Sequence, residues 1–183
     1  NDVVELGFWL YPEDYEGKYK QNLRSYSLLM KGQDIDLAPN STTMTQGFHT
    51  FKTPVRIDSF QPHGHARLVA KSLEIFRPET GKLETISMVS NWTNNWHLSH
   101  LYEPDVAPLL EVGDVLILTG WYDNTSANAN NPDPDQWAGP GSRTTDEMSH
   151  AWIAVTHLDQ AGYDQLVAER AAKADAMAQS DDR

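Results

Sequence analysis

The sequence predicts an all-β protein: an antiparallel, jelly-roll-like β-sandwich with a C-terminal α-helical tail. Two observations carry this expectation. Period-two hydrophobic alternation and closely spaced turn residues dominate the chain, while helical spacing is confined to its C-terminal stretch.

The elements follow in order. Val4, Leu6, Phe8 and Leu10 alternate with Glu5, Gly7 and Trp9, which predicts a first strand over 3–11, ended by Tyr11-Pro12-Glu13-Asp14. Strands are expected at 23–30 and 46–52, with Ala38-Pro39-Asn40-Ser41 as the turn between them. Residues 55–61 alternate again. A long strand over 65–76 ends at Arg77-Pro78-Glu79-Thr80-Gly81, and Leu83 to Val89 returns as its hairpin partner. Val112-Gly113-Asp114 opens a strand that runs to about Tyr122, and the last strand covers about 148–157. In the tail, Tyr163, Leu166, Val167 and Ala171 fall at helical spacing over 160–178, with Asp159 as the candidate N-cap. The stripe is thin, so it suits either a helix resting on its own sandwich or one docking another subunit.

Composition bounds the function. The 183 residues are 39% hydrophobic, with six Trp, seven Tyr and five Phe, enough for a packed core. A formal net charge of −12 argues against nucleic acid and anionic membrane surfaces as partners. No apolar run approaches the ~18 residues that span a bilayer, so no transmembrane segment is expected. The absence of cysteine excludes disulfides, thiolate metal sites and covalent haem from the sequence. Asn1 is an unusual start residue, so a processed, exported chain is expected.

The chemistry concentrates in two segments. In Gln61-Pro62-His63-Gly64-His65, a strand would project both imidazoles from one face, and Gly64 leaves room between them. In Asp146-Glu147-Met148-Ser149-His150-Ala151-Trp152, Met148 and His150 would likewise share a face. Two imidazoles and a soft thioether describe a copper site. Equally, Met148 fits as a gap-filling core residue and His150 as a hydrogen-bonded core histidine. The loop from Tyr122 to Asp135 is rich in oxygen ligands and could take calcium, although Asn and Asp also dominate turns for backbone reasons. Sequons stand at Asn40, Asn91 and Asn124. His49, His97, His100 and His157 have no partner by spacing and read as structural or surface histidines.

These segments belong to a longer ordered series. It comprises His63-Gly64-His65, Trp96, Gly113-Asp114, Asp123-Asn124-Thr125-Ser126-Ala127-Asn128, Asn131-Pro132-Asp133-Pro134 and Asp146-Glu147-Met148. Over roughly residues 35–158 this series resembles the bacterial relatives of the copper type II, ascorbate-dependent monooxygenases. Their animal members include peptidylglycine α-hydroxylating monooxygenase and dopamine β-monooxygenase. The resemblance implies the C-terminal of two sandwich halves, with one copper on His63, His65 and Met148 and His150 as a further candidate ligand.

The chain also departs from the family pattern. It has no adjacent His-His pair and no histidine before His49, so the family's electron-delivering second copper has no ligands here. His150 and Trp152 stand where the animal enzymes carry an Asn and a Tyr that serve substrate, and Gln61 stands where an Arg is usual. Recognition of peptide or catecholamine substrates is not expected.

The domain expectation is therefore a leading strand and connector over 1–34, the sandwich over 35–158 and an acidic helical tail over 159–183. Three functions follow as expectations. One is a copper-binding module in a larger exported redox assembly, in the periplasm or on an extracytoplasmic membrane surface, with a partner such as a cytochrome. Another is a non-catalytic accessory subunit of a periplasmic electron-transfer complex whose copper site is vestigial. The last is a copper-dependent monooxygenase completed by an external electron donor.

Overall fold

A computed structural model of the chain describes residues 3–17, 20–26, 35–95 and 97–181. Trp96, and residues 27–30 of the strand expected at 23–30, lie outside the described residues. The strands are β1 (Lys20–Tyr26), β2 (Thr42–Thr50), β3 (Val55–His63), β4 (Leu68–Arg77), β5 (Lys82–Ser90), β6 (His100–Leu101), β7 (Leu109–Leu110), β8 (Val115–Asp123) and β9 (His150–His157). One helix follows, α1 (Gln160–Asp181).

The strands form two antiparallel sheets. One has the order β1-β9-β3-β6, with β7 also pairing β3, and the other has the order β2-β8-β4-β5. Among the described strands only β4 and β5 are both sequential and paired, and most connections cross between the sheets, as jelly-roll connectivity requires. The predicted sandwich with a C-terminal helix is what forms.

The alternating residues meet between the sheets. Val55, Ile57 and Phe60 of β3 and Ile153 and Val155 of β9 pack against Leu73 and Ile75 of β4 and Leu116 and Leu118 of β8. Fully burying such a side chain contributes about 1.5–3 kcal/mol. A bulge between Ile57 and Ser59 resets the alternation of β3. Phe60 and Pro62 then face the core, and Gln61 and His63 face outward. A second cluster of Ile35, Leu37, Leu68, Trp92, Tyr122 and Ala138 closes one end of the sandwich.

The first expected strand does not form. Residues 3–11 are irregular, and their apolar side chains are exposed, Trp9 by 90%. Alternation marks a chain able to half-bury itself in a ladder, but a strand also needs a pairing partner, and residues 3–11 have none among the described strands. β1 occupies the outer edge of β9 instead, from Lys20 opposite His157 to Tyr26 opposite Ala151. β1 overlaps the strand expected at 23–30 and begins earlier, at Lys20.

The helix is capped as predicted: the Gly162 N–H donates to Asp159 Oδ1 at 2.7 Å. Its first turns rest on the sandwich through buried Tyr163, and Arg170 donates to the carbonyls of Ala107 and Pro104. Residues 171–179 are exposed all round.

Candidate metal centre

The paired strands β3 and β9 bring the two predicted segments to one end of the sandwich. His63 closes β3, His150 opens β9, and the two are cross-strand partners. Such pairs on one face are the nearest side-chain neighbours a sheet provides. Their ring centroids are 4.5 Å apart. His65 lies in the turn that carries the chain from β3 across to β4, with its ring 5.4 Å from that of His63. Trp152 packs edge-on against both His63 and His150, at 4.8 and 4.7 Å.

Gly64 is required by the packing of this turn. A Cβ there would stand 2.5 Å from Leu68 Cδ2 and 2.9 Å from Leu68 Cβ. Room between the two histidines was the expected role; the structure adds a close approach to the floor of the turn.

Met148 is half-buried and lies just before β9 rather than within it. Its backbone is held on both sides. The Tyr122 hydroxyl donates to its carbonyl at 3.0 Å, and its N–H donates to Glu147 Oε2 at 3.3 Å.

Two buried charges that spacing rules did not single out organise the candidate ligands. Glu147 is fully buried, and its carboxylate accepts the backbone N–H groups of His65 at 2.9 Å and Arg67 at 2.7 Å. It thereby ties the histidine turn to the Met148 segment. Burial pushes the Glu147 carboxyl upward, and the N–H donors of Arg67 and His65 pull it back.

Lys71 rises from the inner face of β4, spans the sandwich and ends under the histidine pair. Its ammonium donates to the carbonyls of His63 at 2.6 Å and His150 at 3.2 Å, and to Ser149 Oγ at 3.4 Å. Burial holds Lys71 down at about 7, with the Glu147 charge acting in the opposite direction. Gly120 leaves room for it: a Cβ there would lie 3.4 Å from Lys71 Cε and 3.1 Å from the Tyr122 ring. A signal existed in the sequence, because Lys71 has the same parity as the core residues Leu73 and Ile75.

The ring electrostatics suit ligation. Burial, then the fields of His150, His65, His97 and Lys71, lower His63 to about 3. Burial, then Lys71 and His65, lower His150 to about 4. Both imidazoles are therefore neutral near pH 7, the form that binds metal. His65 is buried with Nδ1 3.1 Å from the Asp146 carbonyl. The carbonyl can only accept, so Nδ1 donates to it, which leaves Nε2 as the ring nitrogen that could face a metal. Imidazoles together with the thioether of Met148 are donor types that fit copper. The donor atoms are not yet converged: among the described residues, no three His, Asp or Glu side chains are disposed to hold one ion.

His97 is exposed, in keeping with its reading as a surface histidine, but it is not without a partner: its Nδ1 shares a hydrogen bond with His63 Nδ1 at 3.2 Å. His49 and His157 belong to the far end of the sandwich, around Phe51, and His100 packs on Phe60.

The remaining motif residues are structural. Asp114 pairs with Arg77 at 2.6 Å and accepts the Glu111 N–H. Asn124 is buried: its Nδ2 donates to the Leu37, Ala38 and Gln136 carbonyls, and its Oδ1 accepts from Arg67 Nε at 2.7 Å. The sequon there is closed to modification in the folded chain. In the loop considered for calcium, side-chain oxygens of Asp123, Asn128, Asn131 and Asp133 each accept a backbone N–H two residues on. Turn chemistry accounts for their placement.

No protein-family model matches the chain, and no curated protein matches it.

Proposed function

We propose that the chain is a copper-binding β-sandwich module, resembling the oxygen-binding half of a copper monooxygenase and working within a larger exported redox assembly. The observation that carries this reading is the gathering of His63, His65 and His150 at one end of the β3–β9 pair, beside the Met148 segment. Holding an ion asks the rings to turn about their side-chain bonds.

His63, His65 and Met148 would hold the copper, with His150 as the further nitrogen donor. Copper there supplies one-electron redox chemistry and an affinity for oxygen. The protein's own part is to fix the donors. Glu147 and the Asp146 carbonyl set the backbone and tautomer of His65, Lys71 pins the His63 and His150 backbones, and Trp152 covers the rings on one side. An open cleft of ≈ 330 Å³ lined by Pro62, Met88, Val89, Trp92 and Leu98, the chain neighbours of His63 and His97 among them, would admit a small apolar reactant.

A second reading has its own observation. The exposed apolar run Val3, Val4, Leu6, Phe8, Trp9 and Leu10 suits docking to another protein, as an accessory subunit would need. The two readings separate on copper-loaded protein supplied with a one-electron reductant. Copper-dependent oxygen uptake, abolished in His63→Ala, supports a monooxygenase completed by an external donor. Stoichiometric copper without oxygen uptake supports an electron-transfer or accessory role. No stoichiometric copper defeats both copper readings and leaves the scaffold. A native mass well above 20.6 kDa in the source extract marks the partner assembly.

A further inference from the structure

We infer that His97 is an additional ligand of this copper site, supplied by the loop that joins β5 to β6. The inference rests on the copper reading above.

His97 faces His63 directly, with the two Nδ1 atoms 3.2 Å apart and the ring centroids 5.0 Å apart. The 3.2 Å contact is a hydrogen bond between the two rings. Two nitrogens that each bind one ion at ~2.0–2.1 Å are about 2.8–3.0 Å apart at a right angle and about 3.3–3.4 Å apart at a tetrahedral one, so an ion that takes the place of the shared proton needs little ring movement.

The loop is held so that the ring stays there. Gln61, on β3, donates through Nε2 to the His97 carbonyl at 3.3 Å and accepts from Ser99 Oγ at 3.0 Å. The buried Trp92 packs edge-on against the His97 ring at 5.7 Å and 89°.

The chemistry follows from donor type. A thioether among the donors favours Cu(I), whereas each added imidazole, His150 and then His97, moves the set towards the nitrogen-rich, tetragonal arrangement of Cu(II). His97 thus gives the oxidised ion a donor from outside the His-x-His and Met segments, and it ties the wall of the cleft to the metal through Trp92 and Leu98.

The test uses the full chain loaded with Cu(II): parent, His97→Ala, and His97→Phe, which keeps an aromatic ring against Trp92. Pulsed EPR counts the coordinated imidazoles, chelator competition gives affinity, and urea unfolding of the metal-free proteins confirms that the variants fold. The inference predicts one imidazole fewer in both variants, with affinity weaker by at least about tenfold. An unchanged imidazole count with unchanged affinity removes His97 from the site and leaves the copper reading standing. An unchanged count with weaker affinity makes His97 a positioning residue and overturns the ligand assignment. No stoichiometric copper in the parent overturns both.

Discussion

Replacing Lys71 by Met keeps most of the side-chain volume and removes only the ammonium. That ammonium is fully buried and donates to two backbone carbonyls, those of His63 at 2.6 Å and His150 at 3.2 Å, with a longer contact to Ser149. Leaving a buried acceptor short of its donor costs about 1–3 kcal/mol each. The substitution also withdraws the positive charge that acts on buried Glu147. Relief of the ammonium's own desolvation offsets part of this loss. The expected net cost is about 2–4 kcal/mol. For a chain of this length that lowers Tm by about 5–15 °C.

The assay is urea unfolding of the metal-free protein, reading the midpoint at constant slope. A second arm measures copper affinity against Leu116→Ala, a core variant away from the histidine pair with a comparable cost of about 2–5 kcal/mol. Lys71→Met should weaken copper binding and Leu116→Ala should not. A Lys71→Met protein as stable as the parent, with the same copper affinity, would refute the argument. The buried ammonium would then be a net electrostatic cost with no part in holding the ligands.

Other perturbations have equally specific outcomes. Gly64→Ala forces its Cβ into Leu68, so it should cost about 1–3 kcal/mol by urea unfolding and weaken copper binding together; a neutral effect on both would show that the turn yields freely. His63 and His150 are held at about 3 and about 4 when folded and return to the ordinary value near 6.5 when unfolded, so between those limits the unfolded chain binds more protons. The urea midpoint of the metal-free protein should therefore fall as pH drops from about 7 towards 4, and less steeply in His63→Asn; equal slopes would contradict the burial argument. Asn124→Ala strips donors from the Leu37, Ala38 and Gln136 carbonyls and an acceptor from Arg67, and should cost more than about 3 kcal/mol by the same assay. Asp159→Ala should cost only about 0.5–2 kcal/mol and fray the start of α1, visible as lost helical circular dichroism, because one cap bond is removed.

The sandwich was legible because its strands carry their burial pattern openly. Ile57 and Leu73 sit between polar neighbours, and with Ile75, Leu116, Leu118 and Ile153 they reach the core. The same alternation misled at residues 3–11, where the apolar side chains stay exposed and no ladder forms. β6 and β7 are two residues long, too short for any periodicity to reveal.

The site was legible where one strand geometry governs it. His63 and His150 face each other because β3 and β9 pair in register, and same-face logic anticipates that each points outward. His97 was not legible, since its approach to His63 depends on how a loop folds back and on a tether from Gln61. Lys71 and Glu147 are charged residues whose burial becomes evident only when the backbone groups they serve are brought together.

The central claim is that His63, His65, His150 and the Met148 segment form one copper site. The most direct test is anaerobic copper titration of the purified full chain and of His63→Ala, with bound metal measured after gel filtration. One copper per parent chain, lost in His63→Ala while its urea unfolding curve remains cooperative, is the predicted result. A parent chain that retains no copper, or a variant that retains as much as the parent, would contradict it.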